Sequence, residues 1–305
     1  MRGRVAEELR NLLITDRRYL DVLLPTIEGL VCDPNISVRA CAISSLFGVA
    51  LYNEELAVAL FQSLSETDDV LLGSPYAEDF IRRGLSSHME AMRPHIERML
   101  HSENANVCQT GARLAALAGL IHRTESDLAA KALHGVAVAR LGVAEIAEFN
   151  FTVPSCREWG EQTLCALFND EDIAVQKKAA HCFWHLWRKP EIPLTEHADL
   201  ILRFLQSAAF ARSPSMLLRA LEDSNHRLPE VVLDVCEHFV EKCAEQARDI
   251  RTHRAGDEHT VGPLVFRAYQ QLAGSEVQLR ALQLIDRMCE EGLHSASQNM
   301  AQFER

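Results

Sequence analysis

His181 and His185 lie four positions apart, with Cys182 beside the first, a spacing that sets two nitrogen donors on one face of a helix. Such a pair holds a zinc-class ion when a third ligand joins it, and serves hydrolysis when a glutamate between the histidines acts as general base. Here Cys182-Phe183-Trp184 fills that interval. With no local third ligand the two read as structural or surface histidines, and no metal is expected. A second group, His253 and His259 with Asp257 and Glu258, has donors for a cation or for proton exchange. It lies in the longest polar stretch, 248–260, which reads as a surface loop, where such side chains meet by chance more often than by design; a binding loop is the other reading. The aromatic run Phe183, Trp184 and Trp187 offers a third type of chemistry, since exposed tryptophan anchors protein interfaces. Phe183 and Trp184 align with Leu46 and Phe47 and read as core, which leaves Trp187, next to Arg188-Lys189-Pro190, as the candidate contact.

The sequence has no Gly-x-x-x-x-Gly-Lys-[Ser/Thr] phosphate loop, no Gly-x-Gly-x-x-Gly turn and no Gly-x-Ser-x-Gly elbow. An ATPase or hydrolase within these residues is therefore not expected, and no catalytic or cofactor-binding residue is assigned. The net charge of -12 repels phosphate backbones unless a basic face is set apart, and the densest basic runs, Arg17-Arg18, Arg82-Arg83 and Lys177-Lys178, are only pairs. Nucleic acid is accordingly not an expected partner. Nine cysteines without a Cys-x-x-Cys pair, mostly inside apolar helical pattern, read as reduced thiols of a cytoplasmic protein. The richest apolar stretch, 112–121, is too short to cross a bilayer and is followed by His122 and Arg123, so no membrane contact is expected. The N-terminus lacks an apolar signal segment and reads as a helix already under way, which suggests a piece of a longer protein.

The elements that must position these residues are helices, because apolar residues recur at spacings of three and four while strand-like alternation is nowhere sustained. They also repeat. The segments 30–42, 99–111 and 167–179 each close one helix with two large apolar residues, pass through a turn rich in Asp and Asn, and place a Val seven positions later and a small residue four beyond it. Val107 follows Val38 by 69 positions and Val175 follows Val107 by 68, a period that suits two helical hairpins. Pro25 and Pro94 recur inside the first helices, with Gln162 at the third position, and Ala42, Gly111 and Ala179 should let the paired helices approach closely. Ser74-Pro75 and Ser213-Pro214 read as helix starts, and Ser155 to Glu158 has capping-box spacing.

On Asp33 and Val38-Arg39 at the turn, the chain resembles the HEAT-repeat family over roughly 16–210, with Cys108 and Gln176 where the second and third copies would carry the arginine. That resemblance implies an all-α, right-handed α-α superhelix, with repeats over 1–210 and a C-terminal helical cap region, 211–305, continuous with them. In the latter, helices are expected at 214–221, 229–246, 261–272 and 276–291. Val265 to Gln270, Leu279 to Met288 and the tail Gln302-Phe303-Glu304-Arg305 are similar to the C-terminal helical region of large bacterial STAND-type NTPases. The implied function is a non-enzymatic interaction, scaffold or sensor module, the repeat region of a larger bacterial signalling or defence-type NTPase, whose concave surface takes a protein or peptide. Repeat phase puts Arg39, Arg113, Gln176 and Lys177 near the starts of the second helices as binding candidates beside Trp187. The same surface could serve homo-oligomer formation. The alternative is a helical-repeat enzyme processing DNA bases, like some DNA glycosylases, which requires a basic groove with a carboxylate at its floor.

Overall fold

The computed structural model describes residues 2–66, 68–122, 124, 126–224, 228–249, 251–271 and 275–293. Among them every regular element is helical and there is no strand. In chain order the α-helices are α1 (Arg2–Thr15), α2 (Tyr19–Val31), α3 (Ile36–Ala50), α4 (Glu54–Ser65), α5 (Asp69–Leu72), α6 (Pro75–Gly84), α7 (Met89–Leu100), α8 (Ala105–Ile121), α9 (Ser126–Leu133) and α10 (Ala137–Asn150). They continue as α11 (Arg157–Leu167), α12 (Ile173–Ala180), α13 (Cys182–Arg188), α14 (Ala198–Leu205), α15 (Ala208–Arg212), α16 (Ser215–Glu222), α17 (Pro229–Ala247), α18 (His253–Gln271) and α19 (Glu276–Glu290), with a 3-10 turn at Leu194–His197. None is long and apolar enough to cross a membrane.

The three aligned turns share one geometry. Asn35, Asn104 and Asp172 each sit in extended backbone and accept a hydrogen bond from the N–H two residues on, capping α3, α8 and α12. Two positions earlier a second polar side chain accepts the N–H of the cap residue itself: Asp33 from Asn35 at 2.8 Å, Ser102 from Asn104 at 3.3 Å, and Asp170 from Asp172 at 2.8 Å. This pair of hydrogen bonds fixes the chain reversal. Beyond it Val38, Val107 and Val175 are buried, and so are Ala42, Gly111 and Ala179. At Gly111 a Cβ would stand 2.5 Å from the Met99 Cβ, so α7 and α8 pack with no room for a side chain there.

By packing the chain divides into Met1–Ile146 and Ala147–Arg305. The boundary expected near residue 210 falls inside the second unit. One bond crosses that position, Lys242 Nζ donating to the Leu205 carbonyl at 2.5 Å, and just beyond it Cys243 Sγ and Arg254 both reach the Ala211 carbonyl. In each unit the main helix–helix packings join elements close in chain order, such as α1 with α3, α7 with α8, α13 with α16 and α17 with α18. The first unit buries Leu13, Ile27, Ile43, Leu46 and Phe61. A file of rings, Phe168, Phe183, Phe204 and Phe210, with successive close centroids at 4.6–6.3 Å, runs through the second.

The C-terminal helices lie within a residue of the expected bounds except α18, which starts at His253 instead of Val261; Leu272 and the tail 302–305 lie outside the described residues. The loop reading of 248–260 is therefore corrected over its second half. Three of its polar residues, Arg254, Asp257 and Glu258, are buried, with Arg254 held to Asp257 at 2.7 Å, whereas His253 and His259 are exposed. Ser74 caps α6 as expected. Ser155 stands one position before the cap of α11, which is Cys156, and Ser213 ends α15 instead of capping α16.

Gly111→Val is expected to lower stability by about 1–3 kcal/mol through overpacking of α7 against α8, read from chemical denaturation of the whole chain. A pH effect is also built into α7. His95 is buried edge-on against Phe61, 3.3 Å from Ser65 Oγ, and burial, then Arg98, pushes its pKa down to about 4 from 6.5. An unfolded chain takes up the proton first, so the contribution of the neutral ring is complete above pH 6.5 and is lost as pH falls toward 4, by up to roughly 3 kcal/mol. Hydrogen exchange of α7 amides should accelerate over that window beyond the intrinsic pH effect, and His95→Gln should flatten the response.

Candidate functional site

A cleft in the second unit has a volume of about 450 Å³ and is walled by the end of α12, the α15–α16 corner and the approach to α18. That size suits a small ligand or a peptide side chain. Its lining carries three cations, Lys177 from the first wall, Arg212 from the second and Arg254 from the third, with the His181 and His253 rings beside them. Ser213, Ser215 and Thr252 add hydroxyls. Arg254 is committed to Asp257 and to the Ala211 carbonyl. Lys177 and Arg212 are exposed and enter no ion pair among the described residues, so their charge faces the opening. A smaller recess of about 180 Å³ in the first unit is floored by Phe47 and Phe80 and edged by Arg83, whose guanidinium lies 4.6 Å from the Phe47 ring.

Behind His181 stands a carboxylate that the local sequence around the histidines did not suggest. Glu148, near the end of α10 and 1% exposed, accepts from Lys178 Nζ at 2.6 Å on one oxygen and lies 3.2 Å from His181 Nδ1 with the other. With His185 it forms a triad in which one ligating atom from each residue lies within 4.8 Å of the others. The His181 and His185 rings are perpendicular, with centroids 6.2 Å apart. His185 is 7% exposed, its ring edge-on to Phe149 and Trp184, and its Nε2 is buried without a hydrogen-bond partner. Burial, then the charges of His181, Lys189 and Lys178, pushes its pKa down to about 4, so the ring is neutral near pH 7. The thiols nearby are inert by contrast: Cys182 is fully buried and its pKa is raised well above the ordinary range by desolvation.

Of the residues chosen by repeat phase, only Lys177 faces this cleft. Arg39 donates to the Asp33 carbonyl at 3.3 Å and Gln176 to the Asp170 carbonyl at 2.5 Å, so both close the turn they follow. Arg113 of α8 is held inside the first unit by Glu78 of α6 at 2.8 Å, Glu145 of α10 at 3.0 Å and Thr110 at 2.9 Å. Trp187 is half-buried, its Nε1 donating to Asp223 at 2.6 Å with Arg219 over the ring. The quartet His253, Asp257, Glu258 and His259 does not converge: His253 lines the cleft, while Asp257 is taken by Arg254.

Glu148 escaped the sequence reading because its partners, Lys178 and His181, are remote, and Arg212 and Arg254 because the cleft they line is assembled from separate helices. For Glu148 a signal does exist. Side-chain bonds recur at separations of 33 to 36 residues: Asn106 to Gly73, Arg93 to Asp127, Arg113 to Glu78, Trp187 to Asp223, His197 to Glu161, and Glu148 to His181. That is half of the repeat spacing read from the valines. Neither a scan against protein-family models nor a search of curated proteins finds a match for the chain.

Arg113→Met should cost about 1–3 kcal/mol, because Glu78 and Glu145 are left as neighbouring, part-buried carboxylates without their cation. Thermal unfolding reads the loss. An unchanged melting temperature would return Arg113 to the list of free surface cations.

Proposed function

We infer that the chain is a non-enzymatic recognition module, a right-handed HEAT-like solenoid whose second unit takes an acidic segment of a protein partner in its cationic cleft. One observation carries this: in a chain of net charge -12, Lys177 and Arg212 are brought from separate helices to one opening, unpaired and flanked by serine hydroxyls. Cations gathered against the overall charge, beside donors that fit carboxylate or phosphate oxygens, favour an anionic ligand. The solenoid reading draws support from the common geometry of the three turns, from packing between near neighbours in the chain, and from side-chain bonds that recur at about half the valine period. In the setting that the C-terminal resemblance implies, such a module is the sensor region of a larger bacterial switch NTPase, and capture of its partner is the event sensed.

A base-processing enzyme is less well supported, because it needs a carboxylate standing ready in the groove. The carboxylates joined to lining residues are already engaged, Asp257 by Arg254 and Glu148 by His181 and Lys178.

A short fluorescein-labelled glutamate-rich peptide should bind the chain in a salt-sensitive manner, read by anisotropy, and joint Lys177→Glu and Arg212→Glu substitution should weaken it at least about tenfold. Equal affinity in the double variant removes the cleft from the reading. Release of a base from a DNA duplex by the wild-type chain would install the enzyme in its place.

A further inference from the structure

We propose that Glu148, His181 and His185 form a binding site for a divalent zinc-class ion at the inner edge of the cationic cleft. The donor set, two imidazoles and one carboxylate, is the set zinc takes when it keeps a coordination position open for water or substrate. His181 supplies access: its side chain is 45% exposed and lines the cleft, so an ion arriving from solvent meets it first. His185 supplies the second observation. It is more than nine-tenths buried, and its orphaned Nε2 is a costly arrangement that ring contacts with Phe149 and Trp184 do not relieve, since they cover ring faces and edges without offering a hydrogen-bond partner.

The geometry requires a small contraction. Ligand atoms about 2.0–2.2 Å from a tetrahedral ion stand about 3.3 Å apart, and the Glu148–His181 pair already meets that distance at 3.2 Å. The full triad spans up to 4.8 Å, so closure falls to the rotamer of His185 and to a shift of His181. Lys178 is a competitor within the site. Its ammonium, on the other carboxylate oxygen at 2.6 Å, now neutralises Glu148, and with a side chain 28% exposed it can swing toward water when the ion takes its place. The site therefore exchanges one cation for another at a single buried carboxylate. It stands independently of the acidic-peptide reading, because the test uses the metal alone.

Cobalt(II) titration of the whole chain separates the outcomes, since nitrogen and oxygen donors give weak visible d–d bands whereas cysteine ligation adds an intense thiolate charge-transfer band. Expected is one ion per chain with no thiolate band, displaced by zinc. His181→Gln, which alters an exposed ring and leaves the core untouched, should weaken binding about 10–100-fold, and Glu148→Gln should do the same. Lys178→Met should tighten it, a gain of affinity that no unfolding defect can imitate. A thiolate band, wild-type affinity in His181→Gln, or unchanged affinity in Lys178→Met would each overturn the site.

Discussion

The polar turn between paired helices is the constraint on which the rest of each unit depends. A helix begins with backbone N–H groups that have no partner of their own, and at Asn35, Asn104 and Asp172 a side-chain oxygen takes one or two of them while another polar side chain two positions earlier takes the N–H of the cap. The reversal is therefore fixed in angle before any apolar contact forms. Given that angle, the next turn of helix must carry a residue facing the preceding helix, which Val38, Val107 and Val175 supply, and then one small enough for the two axes to close, which Ala42, Gly111 and Ala179 supply. Arg39 and Gln176 extend the same logic. Unlike in charge, they do one job, donating back to the turn carbonyl six residues earlier.

This explains what was legible in the sequence and what was not. The turn is local, so its Asp and Asn content, the Val and the small residue could be read and aligned without a structure, and helix bounds followed to within a residue at most C-terminal elements. Function-bearing assignments drawn from the same local phase fared differently. The position after the valine is a binding candidate by repeat phase, and in the structure the Arg39 and Gln176 side chains there donate back to the turn. The second half of 248–260 looked like loop because it is polar, whereas Arg254 and Asp257 cancel each other's charge inside the unit and allow α18 to begin early. Polarity in a sequence does not distinguish a side chain that meets water from one that meets its counter-ion.

The candidate sites lie on the next level of organisation, between helices whose partner residues stand 33 to 36 positions apart in the chain. Glu161 with His197 and Glu148 with His181 are two instances of one arrangement, a carboxylate on one helix meeting an imidazole on the helix that follows about 35 residues later. Their surroundings separate them. His197 is wholly enclosed, its ring edge-on to Phe151; its Nε2 also lacks a hydrogen-bond partner, but among the described residues no third ligand-type group joins it and Glu161. His181 stands at the break between α12 and α13, where the chain opens onto the cleft and where a helical step of four brings His185 alongside.

Charge placement follows from that contrast. Glu148 is almost without solvent contact, and a carboxylate so placed demands a positive partner at all times, because an isolated buried charge costs far more than any single packing contact returns. Lys178 answers the demand with its ammonium, and His181 adds a ring nitrogen at 3.2 Å, both from the helix end that also presents Lys177 to the cleft. Positive charge at this corner is thus a consequence of burying Glu148 as much as a surface property, and the cleft and the carboxylate behind it are electrostatically one device. Lys177 at the opening and Lys178 on Glu148 are neighbours on the same short stretch of α12, so the charge at one is set close beside the charge at the other.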